Sequence, residues 1–108
     1  MNKVILIGRI TKDVEVKEIG ANLKVSNFSL AVSTHTKDEE GNYKSEFINI
    51  VAWNETAENL KKYTGKGDLI SVEGRLQTRS YEKDGAKVYV TEVVAERIVY
   101  LQKVNKEN

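Results

Sequence analysis

Residues 73–81 read EGRLQTRSY and, after a Lys83-Asp84-Gly85 break, residues 88–96 read VYVTEVVAE. An Asp-Gly pair between two alternating runs is a strong turn signal, so this stretch predicts one long β-hairpin. Side chains two apart on a strand share a face. Arg75, Gln77, Arg79 and Tyr81 therefore fall together on one face of the first arm. Ile70, Val72, Leu76 and Thr78 take the other, with Gly74 leaving a gap among them. An apolar face for the core is ordinary. A face of guanidinium groups and a flat ring is not, because cations for phosphates and rings for bases are what an unpaired nucleic-acid strand needs. The competing reading is a solvated strand with scattered charges.

The segment upstream alternates in the same way. In FINIVAW at 47–53, Ile48, Ile50 and Ala52 make a small aliphatic face suited to a core. Phe47, Asn49, Val51 and Trp53 make the other, with the two aromatics about 20 Å apart at a rise of roughly 3.3 Å per residue. These rings either pack against a second sheet or a subunit, or stay open as stacking platforms. Asn54 then reads as a helix N-cap, with Glu55 and Glu58 early and Lys61 and Lys62 late, as the helix dipole favours. Ala57 and Leu60 give it a narrow apolar stripe, and Gly65 and Gly67 stop it. So short a helix is suited to capping a barrel end.

Toward the N-terminus, residues 24–34 alternate, with Phe28, Leu30 and Val32 on one face, and 35–43 form a polar, acidic loop. Gly20-Ala21-Asn22 is a turn. Residues 2–10 predict a strand buried on much of both faces, continued with a bend through Val14, Val16 and Ile19. The resulting order, three strands, a helix and two strands, is that of an all-β, five-stranded OB-fold, a Greek-key barrel with one short helix between the third and fourth strands. Residues 1–101 make the domain, and 102–108 are expected to fray as a polar C-terminus.

At 108 residues, with 40% hydrophobic and 31% charged content, the chain is expected to be one soluble domain. No apolar run approaches the ~18 residues of a membrane span, and Gly8, Arg9, Lys12 and Asp13 interrupt the opening run too soon for a signal peptide. The absence of cysteine excludes disulfides and thiolate metal sites and fits a cytoplasmic setting. Basic and acidic residues nearly balance, 17 against 16, so the total charge does not announce a polyanion partner. Placement matters more: Asp38, Glu39, Glu40, Glu55 and Glu58 gather in a loop and a helix start, so a neutral total can hide a basic groove.

The chemistry of catalysis is thin. His35 is the one histidine and lies in the polar loop, where solvation is the ordinary fate. Asp38-Glu39-Glu40 lacks the alternating spacing that wraps calcium. Gly65-Lys66-Gly67 lacks the later glycine of a phosphate cradle. No catalytic residue, metal site or cofactor is expected.

NKVILIGRITKD at 2–13, FINIVAWNETAENL at 47–60, and EGRLQTRSY with VYVTEVVAE resemble the bacterial single-stranded DNA-binding proteins, in order over roughly residues 1–101. The resemblance implies a homotetrameric OB-fold that wraps single-stranded DNA without demanding a sequence. It implies stacking positions at Phe47, Trp53 and Tyr81, and phosphate-facing cations at Lys3, Lys66 and Arg79, with Arg75 on the same strand face. Three departures stand out. Thr36 occupies a loop position that is aromatic in the family, leaving His35 or Tyr43 as substitutes. Proline is absent throughout. The family's long acidic-tipped tail is not in this sequence, so partners recruited by that tail are not expected. The alternative on the same fold is a dimeric primosome-type accessory protein acting as an adaptor.

Overall fold

A computed structural model of the chain describes residues 1–104. The elements run β1 (Val4–Ile10), β2 (Lys17–Ile19), β3 (Leu23–Lys37), β4 (Tyr43–Trp53), α1 (Asn54–Tyr63), β5 (Leu69–Lys83) and β6 (Ala86–Gln102). Five strands pair in the order β1-β5-β6-β4-β3, and β1 meets β3 at Arg9↔Ala31 and Ile10↔Leu30 to close the ring. The pairing of β4 with β6 is parallel, Ile50 beside Val93, whereas the others are antiparallel. A closed five-strand ring with a helix leading into β5 is the OB-fold barrel expected from the element order.

Alternation decides what fills the barrel. Ile10, Leu30, Ile50, Ala52, Ile70, Val72 and Val93 point inward and are fully buried. Each large side chain so buried contributes about 1.5–3 kcal/mol relative to exposure. Ala57 and Leu60 press the stripe of α1 into this core, and the Lys24–Glu58 ion pair ties the helix to β3. Gly8 permits closure, since a Cβ there would meet the Ala31 carbonyl oxygen at 2.5 Å. The gap at Gly74 also has a cause. The β5–β6 register shifts between Glu73 and Gly74, and the bulge brings the Val94 carbonyl oxygen to 2.0 Å from where a Cβ would stand.

The structure corrects several expectations. β1 is buried on one face only: Ile5 and Ile7 are 63% and 56% exposed, because nothing in the protomer covers that side. The stretch after β1 is not its continuation. Lys17–Ile19 turns back at Gly20, whose φ is +65°, and pairs with Leu23–Val25 as a separate strand. The loop expected at 35–43 shortens to 38–42, placing His35 on β3, exposed. Asn54 does not cap α1; its Oδ1 accepts the Lys24 N–H at 2.9 Å, and the cap position falls on Trp53 without a side-chain bond.

Asp68 organises the end of the chain. Its carboxylate accepts the N–H groups of Gly65 at 2.9 Å and Val104 at 2.8 Å, with the Lys103 ammonium 3.7 Å away. The domain boundary expected at 101 falls one residue short of the end of β6, and residues 105–108 of the expected frayed tail lie outside the described residues.

Candidate nucleic-acid interface

Register determines which side chains share the outer surface. Ile50 and Val93 are core partners, so their neighbours Val51 and Val94 face outward side by side. From Val94, β6 pairs outward-facing residues with β5 as Arg75↔Val94, Gln77↔Glu92, Arg79↔Val90 and Tyr81↔Val88. From Val51, β4 does the same with β3 as Asn27↔Val51, Ser29↔Asn49, Ala31↔Phe47 and Val25↔Trp53. Four adjacent strands, β5-β6-β4-β3, thus present one face on which Phe47, Trp53, Tyr81, Arg75 and Arg79 all stand.

The three rings are open within the protomer, with Phe47 66%, Tyr81 45% and Trp53 39% exposed. Their cross-strand partners are small, Ala31, Val88 and Val25, and leave part of each ring in solvent. Tyr43 shares the β4 face by alternation and is exposed, with the Lys37 ammonium 5.1 Å from its ring centre. Of the substitutes for the aromatic missing at Thr36, Tyr43 is therefore the one in line with Phe47 and Trp53. Tyr89 is also exposed, but it pairs with Ser80 on the opposite face of the hairpin.

The four candidate cations divide. Lys66 sits in the turn between α1 and β5, its N–H donating to Asp13 Oδ1 at 2.8 Å, and among the described residues its exposed ammonium has no ion-pair partner. Lys3 lies 3.2 Å from Glu73, and Arg75 lies 3.8 Å from Glu96. Those glutamates reach solvent, and exposed pairs of this kind contribute little and exchange readily.

Arg79 differs. Its Nε donates to Glu92 Oε1 at 2.7 Å, Nη2 reaches Oε2 at 3.5 Å, and Gln77 Nε2 adds a bond to Oε1 at 3.3 Å. The hydrogen bond and charge of Glu92 hold the Arg79 guanidinium above its ordinary pKa. The Glu92 side chain is only 4% exposed, whereas that of Arg79 is 49% exposed. Glu92 was not among the expected site residues, although counting outward from the Asp84-Gly85 turn sets it opposite Gln77. The pair walls a groove of ≈ 580 Å³ with Lys12, Asp13, Glu15, Asn27, Ser29 and Asn49. Among the described residues, no group of three or more histidine or acidic side chains is placed to hold a metal ion.

A closed barrel with rings and cations ranged across the outer face of four strands defines an OB-fold of the nucleic-acid-binding class. The chain matches the model of the single-strand binding protein family over residues 1–101. It is 47% identical over 104 residues to single-stranded DNA-binding protein 1 of Streptococcus pyogenes, covering 95% of this chain and 80% of that one. To single-stranded DNA-binding protein 1 of Staphylococcus aureus it is 44% identical, covering 100% and 70%. To single-stranded DNA-binding protein 3 of Streptococcus agalactiae it is 44% identical, covering 99% and 78%. The chain belongs to the single-strand binding protein family.

Proposed function

We infer that this chain binds single-stranded DNA by stacking bases on Phe47, Trp53 and Tyr81 while Lys3, Lys66 and Arg75 track the phosphates. The observation that carries this reading is the set of three partly open rings on one outer face, beside cations that, among the described residues, have no ion-pair partner or one that reaches solvent. Every base has a π-face, so sequence preference is weak overall, and each stacked base contributes about 1–3 kcal/mol. Paired bases are already stacked and cannot reach the rings, which sets duplex apart. The role that follows is to coat and protect unpaired DNA during replication, recombination, repair or uptake, in the cytoplasm at the nucleoid. It is a binding role, with no catalytic step. No helix among the described residues is long and apolar enough to cross a membrane.

The same reading includes self-association, as a homotetramer. Ile5 and Ile7 project from the outer face of β1, and Val99 is exposed on the same side of the sheet, carried there by Ser71. β1 pairs with β3 only at Arg9 and Ile10, so the edge of its first half is unpaired. An apolar face beside an open strand edge fits a second copy, and linked copies make later DNA contacts intramolecular. A dimeric primosome-type adaptor finds no support in the comparisons, where the relatives are named for single-stranded DNA binding.

Trp53 is the sole tryptophan, so its emission reports on the site. Oligo(dT) is expected to quench it. An unchanged spectrum at saturation, with binding verified independently, removes Trp53 from the interface.

A further inference from the structure

Arg79 was expected to meet a phosphate, but its surroundings argue for a different contact. Its charge is offset by a carboxylate that is buried beneath it and held by two donors. Unlike Glu73 or Glu96, that carboxylate cannot swing into solvent when a phosphate arrives. A phosphate at Arg79 would lie close to an unscreened negative charge, so the pair attracts an anion weakly. The hydrogen-bonding capacity of the guanidinium is not exhausted, however. It has five N–H donors, and the Glu92 contacts engage Nε and Nη2, leaving Nη1 outside that contact. What remains is a donor fork with little net charge, on the wall of a groove shared with Asn27 and Asn49 and lined as well by Lys12, Asp13 and Glu15.

Resting on the single-stranded DNA reading above, we propose that the Arg79–Glu92 pair reads the edge of one base in this groove, favouring bases that present a carbonyl there. The exposed partner sets the sign. Arg79 donates and reaches solvent, whereas Glu92, the acceptor, is covered. Asn27 and Asn49 carry both a donor and an acceptor, and an amide can turn either way, so they accommodate a base without choosing it. Uracil offers O4 to Arg79. Cytosine offers an amino group at the same position, where two donors would meet. Glu92 is thus a positioning residue: it holds Nε and Nη2 of Arg79 and offsets the charge that would otherwise draw in phosphate.

Oligo(dU) and oligo(dC) of equal length differ at that edge and not by the thymine methyl. Titrated at neutral pH and two salt concentrations, the protein is expected to bind oligo(dU) about three- to tenfold more tightly. In Arg79→Gln the ratio is expected to fall to about one while the salt slope stays as in the unaltered protein. An unaltered protein that binds both oligomers equally well overturns the base-reading role and leaves single-strand binding standing. A ratio that persists in Arg79→Gln, with a slope reduced by roughly 0.7, makes Arg79 a phosphate contact instead. Should Arg79→Gln fail to fold by circular dichroism, Glu92→Gln gives the second reading. It uncovers the Arg79 charge, so the slope is expected to steepen by about 0.7, and an unchanged slope counts against the proposal. If the unaltered protein binds neither oligomer, the single-strand reading itself falls.

Discussion

Phe47 on β4 stands directly opposite Ala31 on β3, and a single methyl group leaves the ring two-thirds open to solvent. Stability and binding are therefore separable at this position. Phe47→Ala removes a ring that lies mostly in solvent, so its folding free energy is expected to change by about 0.5 kcal/mol or less. Affinity for oligo(dT) is expected to weaken by about 1–3 kcal/mol. Thermal melting and titration on one preparation check both numbers. A large drop in stability with unchanged affinity would assign the ring to packing.

Lys66 tests the phosphate track. Its ammonium is free of ion pairs among the described residues. Lys66→Ala is expected to lower the dependence of log affinity on log salt by roughly 0.7, the single-strand value per phosphate contact. Titrations across a salt series measure it, and an unaltered slope places Lys66 off the path.

The exposed face of β1 makes its own prediction. Ile5→Lys with Ile7→Lys puts two charges where the protomer leaves apolar side chains uncovered. Light scattering is expected to show a lower molar mass than for the unaltered chain, with β-sheet circular dichroism retained. An unchanged mass moves the contact between copies elsewhere.

Gly74→Ala tests the bulge. The added methyl would stand 2.0 Å from the Val94 carbonyl oxygen, which is backbone in the middle of the longest strand pair. Overpacking of this kind costs about 1–3 kcal/mol, read as a lower denaturant midpoint at unchanged slope. A midpoint equal to that of the unaltered chain would show that β6 can move aside.

Asp68 fixes a pH dependence. Burial alone would raise its pKa, but hydrogen bonds from Val104 and Gly65 and the charge of Lys103 outweigh it, leaving the carboxyl below its ordinary value. The folded pKa thus lies below the unfolded one. The stabilisation is fully present above about pH 4, where an unfolded aspartate titrates, and is lost as pH falls through the folded value. Melting curves from neutral to acid pH are expected to converge for the unaltered protein and Asp68→Asn below that range. A gap that stays constant at every pH would mean the carboxylate charge contributes nothing.

Much of this was visible in the chain. Period-two alternation marked the core faces of β3 and β4 and of β5 up to Gly74, although Leu76 and Thr78, expected on that same face, are exposed beyond it. The Asp84-Gly85 turn fixed the hairpin register, so the ring and cation faces could be read directly. What escaped detection depends on distant contacts. Asn54 looks like a cap until Lys24, thirty residues earlier, is seen donating to it. Three residues are too few for β2 to show a period. Val4–Ile7 is continuously apolar, and such a run reads as buried on both sides whether a protomer or a second copy does the covering. The partnership of Arg79 with Glu92 needed two strands to be laid side by side.

Single- and double-stranded oligonucleotides of one length, titrated at low and moderate salt, test the central claim most directly. Flat side chains uncovered on a barrel wall predict tight, salt-weakened binding to the unpaired strand and far weaker binding to duplex. Equal affinity for both forms, or none for either at low salt, would contradict it.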